Sequence, residues 1–245
     1  MSGIPVQVTE DSKLQTLAKV QMAREGGLPQ HLIVYKPEAG QAPDYQICFQ
    51  CGYIIRTFQN PPDNRFEMAE TQKGKDVVEA LIRQPGGIAD KFRLRKSKII
   101  VMRNQYLSGL LIHLRSVPIG LRISEWLSEN YPELDNLKRE HIEKELDTNK
   151  ESLSGKIKML TPQEIYEPSL SISAAYALYW ANEYDKQEWF NSYRLEGYSL
   201  SAHELLDIYQ EIPDNPINDY KLIEEWGKYL KINDWFTFIP YKPGK

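Results

Sequence analysis

The sequence predicts an α+β protein, and three observations lead there. Short apolar and β-branched runs, separated by turns rich in Pro, Gly and Asn, lie mainly in the first 118 residues. From residue 119 onward apolar residues recur three and four apart, the period of a helix. The final third is aromatic at that same spacing. Three parts follow: a mixed α/β module over 1–118, a central trihelical unit over 119–162, and a helical, aromatic, acidic part over 163–245.

Taken in order, Thr9, Glu10, Asp11 and Ser12 have the composition of a helix start, with Leu14, Leu17 and Ala18 as a short apolar face and Gly26, Gly27 and Pro29 as a stop. Residues 31–35, HLIVY, read as a strand. A Pro/Gly/Ala-rich loop leads to a longer strand over 44–58, broken at Gly52. Pro61, Pro62, Asp63 and Asn64 make a turn, and 66–69 a short strand. A helix over 75–84 with Val77, Val78, Leu81 and Ile82 inward stops at Pro85, Gly86 and Gly87. Residues 92–95 and 98–103 look like two strands around a basic tip, because Phe92, Arg93, Leu94 and Arg95 alternate. Residues 106–114 are apolar enough for a strand or a buried helix, and periodicity does not choose. Val117, Pro118, Ile119 and Gly120 form the natural boundary.

Beyond it, Ile123, Trp126 and Leu127 mark a helix that Tyr131 and Pro132 end. Ile172, Ala175, Tyr176, Tyr179 and Trp180 predict a helix apolar over most of its girth and so buried at the centre. Trp189, Phe190 and Tyr193 continue that run. Ser201 and Glu204 have capping-box spacing before Leu205 and Ile208. Pro213 and Pro216 bound a turn, Leu222, Ile223, Trp226 and Leu230 give one more helix, and 235–239 a last strand.

Net charge is only −4, but its distribution is uneven. Residues 91–124 hold Lys91, Arg93, Arg95, Lys96, Lys98, Arg103, Arg115 and Arg122 with no Asp or Glu, whereas acids outnumber bases from Glu164 onward. The first residues lack the cationic-then-apolar pattern of a signal peptide, and no apolar run approaches a membrane span. Two cysteines make no disulfide framework. A cytoplasmic protein without membrane partners is expected.

Residues 138–160, KREHIEKELDTNKESLSGKIKML, carry the main functional signal. Ile142 and Leu146 lie four apart on a first helix, and Asp147, Thr148 and Asn149 interrupt it. Leu153, Ile157 and Leu160 then fall on one face of a second, which Thr148 and Glu151 start as a capping box. In residues 142–160 the segment resembles helix-turn-helix DNA-binding proteins, with Asp147 where glycine usually follows the first helix. The resemblance covers under a tenth of the chain. It implies a second helix lying in a DNA major groove, with Asn149, Lys150, Ser152, Ser154, Lys156 and Lys158 facing phosphates and bases. Arg93, Arg95, Lys96 and Lys98 would add the salt-sensitive, sequence-independent share of affinity. The expected function is DNA binding in regulation or nucleoprotein assembly. The alternative is a non-enzymatic protein-interaction module in which the trihelical unit is structural and the acidic end docks a partner.

Cys48 and Cys51 resemble one knuckle of a zinc ribbon, but a closed zinc site needs four ligands and there is no second pair. In a strand they would point to opposite faces. For nuclease chemistry, Asp44 and Asp63 follow prolines, but Glu70, Thr71, Gln72 and Lys73 have one residue too many for an acid-x-Lys metal site. No metal, cofactor or enzymatic activity is expected.

Overall fold

Strands open the chain where a helix was expected. In the computed structural model, which describes residues 3–14, 16–37 and 43–243, β1 (Val6–Glu10) and β2 (Ala18–Gln21) replace the helix anticipated from Thr9. The cause is local. The Asp11 carboxylate accepts a hydrogen bond from the Lys13 N–H at 2.9 Å and its carbonyl one from the Leu14 N–H at 3.1 Å, so this Asp closes a turn instead of capping a helix. β3 (His31–Tyr35), a strand as expected, pairs parallel to β1 and antiparallel to β2.

α1 (Asp44–Gln59) overturns the strand expected over nearly the same residues. Tyr45, Ile47, Phe49, Cys51, Tyr53 and Ile55 alternate like a strand, yet the helix is apolar on several sides because it packs against α-helical neighbours and against β2 and β3. The turn at 60–64 holds a short 3₁₀ segment, Pro62–Asn64. β4 (Phe66–Glu70) and α2 (Gln72–Arg83) match expectation, with Thr71 Oγ1 accepting from the Gly74 N–H at 3.0 Å as the helix cap.

α3 (Ile88–Lys91) and α4 (Lys96–Asn130) stand where two strands and a boundary were expected. In α4 the residues Ile99, Leu107, Leu110, Leu111 and Leu114 form one buried stripe, which settles 106–114 as helix. Residues 117–124 are buried on every side, and the supposed boundary at Val117, Pro118, Ile119 and Gly120 is helix interior. α1 crosses there at close range. A methyl on Gly52 would lie 2.4 Å from Ile123 Cγ2, and one on Gly120 would lie 3.0 Å from Phe49 Cζ. Gly52 is thus a helix-crossing residue and not a strand break.

α5 (Asp135–Lys150), α6 (Gly155–Leu160) and α7 (Gln163–Glu183) follow, and α7 is buried over most of its girth as anticipated. α8 (Asn191–Leu195), α9 (Ser199–Glu211) and α10 (Asp219–Tyr229) complete the helices, and β5 (Phe236–Pro240) pairs antiparallel to β4. α9 begins at Ser199, and the Ser201 hydroxyl donates to the Tyr198 carbonyl, so Ser201 is no helix cap. One hydrophobic cluster runs from Tyr45 to Phe236 through all three expected parts. The chain is α+β, helical for the most part with two small sheets. Among the described residues no helix is long and apolar enough to cross a membrane.

Candidate nucleic-acid interface

The α3–α4 junction is built by a helix stop followed at once by a helix start. The Leu94 N–H bonds the Ala89 carbonyl at 2.9 Å and the Arg93 N–H bonds the Asp90 carbonyl at 3.2 Å, a Schellman closure of α3. Half-buried Leu94 anchors it to the core. Arg93 occupies the left-handed position, φ 48°, where glycine is the common choice. Asp185 and Lys231, the other non-glycine residues of positive φ among the described residues, also follow helix ends. The alternation that suggested a strand is therefore a turn with Leu94 inward and Arg93 and Arg95 outward.

Arg95 is the N-cap of α4 and makes no side-chain cap bond, and the first turn holds no acid. Lys91, Arg93, Arg95, Lys96 and Lys98 are all exposed. None of the five makes an ion pair among the described residues. Cations at a helix N-terminus oppose its dipole, so Arg95, Lys96 and Lys98 gain nothing from α4, whereas Lys91 lies in the last turn of α3. Further along the basic stretch Arg115 is exposed, whereas Arg103 and Arg122 are used internally. Arg103 pairs with Glu79 at 3.0 Å. Arg122 is 1% exposed, 3.3 Å from Asp219 and 3.7 Å from Asp214, and donates to the Ile212 carbonyl at 2.6 Å. Arg56 grips Asp219 with two hydrogen bonds, of 2.6 and 2.7 Å, and also bonds Asp214. That cluster binds α1 and α4 to the start of α10, and Arg122 is withdrawn from any outward role.

The helix-turn-helix geometry is corrected. Thr148 lies inside α5 and its hydroxyl donates to the Lys144 carbonyl at 2.9 Å, so Asp147, Thr148 and Asn149 interrupt nothing. The turn falls later, through a 3₁₀ segment, Glu151–Leu153, and Ser154 caps α6 by accepting from the Ile157 N–H at 3.4 Å. α6 has only six residues, with Ile157 39% and Met159 66% exposed. Leu153, Ile157 and Leu160 thus share no buried face, whereas Ile142 and Leu146 are buried as expected.

The remaining predicted residues divide. Lys150 pairs with Asp147 at 3.1 Å, Asn149 and Ser152 are half-buried, and Ser154 is occupied as a cap. Lys156 and Lys158 are exposed and make no ion pair among the described residues. The Tyr106 hydroxyl donates to the Leu160 carbonyl, fastening the end of α6 to α4. Lys98 is eight residues from Tyr106, about 12 Å along the helix and about 80° around it. The structure so brings Arg93, Arg95, Lys96 and Lys98 together, with Lys156 and Lys158 on a segment tied to the same half of α4.

Cys48 and Cys51, on α1, lie on one side of the helix and not on opposite faces of a strand. Burial pushes both thiols above their ordinary pKa, with Asp44 adding to the rise at Cys48. Glu70 accepts from the Ser108 hydroxyl at 2.5 Å and Lys73 pairs with Asp234, so those two side chains serve local contacts. No family model, curated protein or solved structure matches the chain.

Proposed function

We propose that the protein binds duplex DNA through the α3–α4 junction, gripping phosphates without reading base sequence, in a non-enzymatic role such as nucleoprotein assembly. The observation that carries this is the set of five exposed, unpaired cations at Lys91, Arg93, Arg95, Lys96 and Lys98, beside a helix start with no acid. Phosphate supplies the missing countercharge, and each phosphate neutralised releases condensed counterions. The corrected geometry of α6 removes the support for a groove-reading helix, so sequence selectivity is not part of the reading.

A specific observation favours a second reading, a protein-interaction module. Leu195 and Leu200 are 82% and 71% exposed around the α8–α9 turn, and Glu167 on α7 acts on Tyr198 in that turn. Ile157 and Met159 lie just before α7, at the same end of it. Binding of a fluorescent duplex at several salt concentrations tests the first reading. The expected result is salt-dependent binding, equal for unrelated sequences. Undetectable binding at low salt moves the assignment to the second.

A further inference from the structure

We propose that the cleft between α10 and the β4–β5 sheet binds a methylated ammonium group. The cleft has a volume of about 480 Å³ and opens to solvent. Its walls follow from register and helix period. Phe66 lies opposite Pro240 and Met68 opposite Phe238, so Phe66 and Phe238 are diagonal neighbours on one sheet face. Tyr220 and Glu224 are one turn apart on α10 and both line the cleft.

The rings meet edge to face and not as a stack. Phe66 and Tyr220 have centroids 6.0 Å apart at 64°, and Tyr220 and Phe238 6.1 Å apart at 76°. Phe236 adds a third near-perpendicular contact, 5.6 Å from Phe238 at 80°. Phe66 is 38% and Tyr220 42% exposed, an aromatic surface that the core does not use. Aromatic faces attract cations, and Glu224 places a carboxylate on the same wall. Lys228 lies one turn further along, 3.4 Å from Glu224 and 2.9 Å from Glu225, and so divides its charge between them. An alkylated ammonium suits such a site better than a bare one, because its methyls bury without hydrogen-bond loss while its charge remains. The cleft shares no lining residue with the basic end, and the proposal does not depend on the DNA reading.

The test is titration of the full chain by calorimetry and NMR with choline, with its neutral carbon isostere 3,3-dimethyl-1-butanol, and with peptides carrying lysine or trimethyl-lysine. Saturable binding of a methylated cation is expected, with the neutral isostere and the unmethylated peptide each about tenfold weaker or worse. Tyr220→Ala and Glu224→Gln should each weaken that binding at least about fivefold with unfolding temperature unchanged, and Tyr220→Phe should keep it. Preference for choline assigns a free small molecule, and preference for the peptide assigns a protein tail. Equal binding of the isostere, or no saturation by either methylated cation, overturns the proposal.

Discussion

Arg95 and Arg122 stand on one helix, and their surroundings give them opposite uses. Arg122 is enclosed by Asp214, Asp219 and the Ile212 carbonyl where α4 is buried on every side. Arg95 and its neighbours stand in solvent at the other end of the helix and make no ion pair among the described residues. The difference teaches that a run of basic residues is not one surface. An enclosed guanidinium with matched carboxylates holds elements together, and only the unmatched cations remain to meet an external anion.

The comparison breaks most visibly at its buried side. Arg122→Ala takes a buried guanidinium from Asp219 and from the Ile212 carbonyl while Arg56 still holds the carboxylate, and should cost about 2–3 kcal/mol in denaturant unfolding. A change below about 1 kcal/mol would mean the cluster behaves like an exposed pair. Gly52→Ala presses a methyl toward Ile123 where α1 crosses the same half of α4, and a destabilisation of about 1–3 kcal/mol is expected. An unchanged stability would show that the crossing is looser than 2.4 Å implies.

His113 lies between the two regions. Burial holds it down to about 4, below the ordinary 6.5, and lowers His31 in the same direction. Between those values the unfolded chain binds more protons, so stability is complete above pH 6.5 and falls as pH drops toward 4. The destabilisation expected from His113, which keeps partial exposure, is about 2 kcal/mol, and His113→Gln should flatten the profile over that window. A profile unaltered by this change would place the imidazole in solvent.

Arg93→Gly separates shape from charge at the exposed side. Glycine adopts a φ of 48° without the Cβ penalty, so stability should rise by about 1 kcal/mol while DNA affinity falls. A variant that gains stability and binds as before would remove Arg93 from the interface.

The legible parts of the fold are those whose residues meet one kind of neighbour. α7 shows as a buried helix because Ile172, Tyr176 and Trp180 have no solvent side to mark. α1 misleads because contacts on several sides leave apolar residues at alternate positions from Tyr45 to Ile55. The turn after α5 misleads because the Thr148 hydroxyl can bond back to Lys144 as well as cap a new helix. For the site, the cations at 91–98 are visible in the sequence, but their isolation is not. Arg103 and Arg122 look no different from Arg95 until folding brings Glu79 and Asp219 to them. The aromatic cleft is hidden in the sequence for the same reason: Phe66 and Phe238 meet only when β4 and β5 pair. The i,i+4 pair Tyr220 and Glu224 is the one local signal of it that the sequence carries.

The salt dependence of duplex binding by the Arg93→Ala, Arg95→Ala, Lys96→Ala, Lys98→Ala variant tests the central claim most directly. With unfolding temperature essentially unchanged, the slope of log affinity against log salt should become shallower by about 0.9 for each phosphate no longer neutralised, roughly three to four in all. A slope identical to that of the unaltered protein would contradict the assignment of DNA binding to the α3–α4 junction.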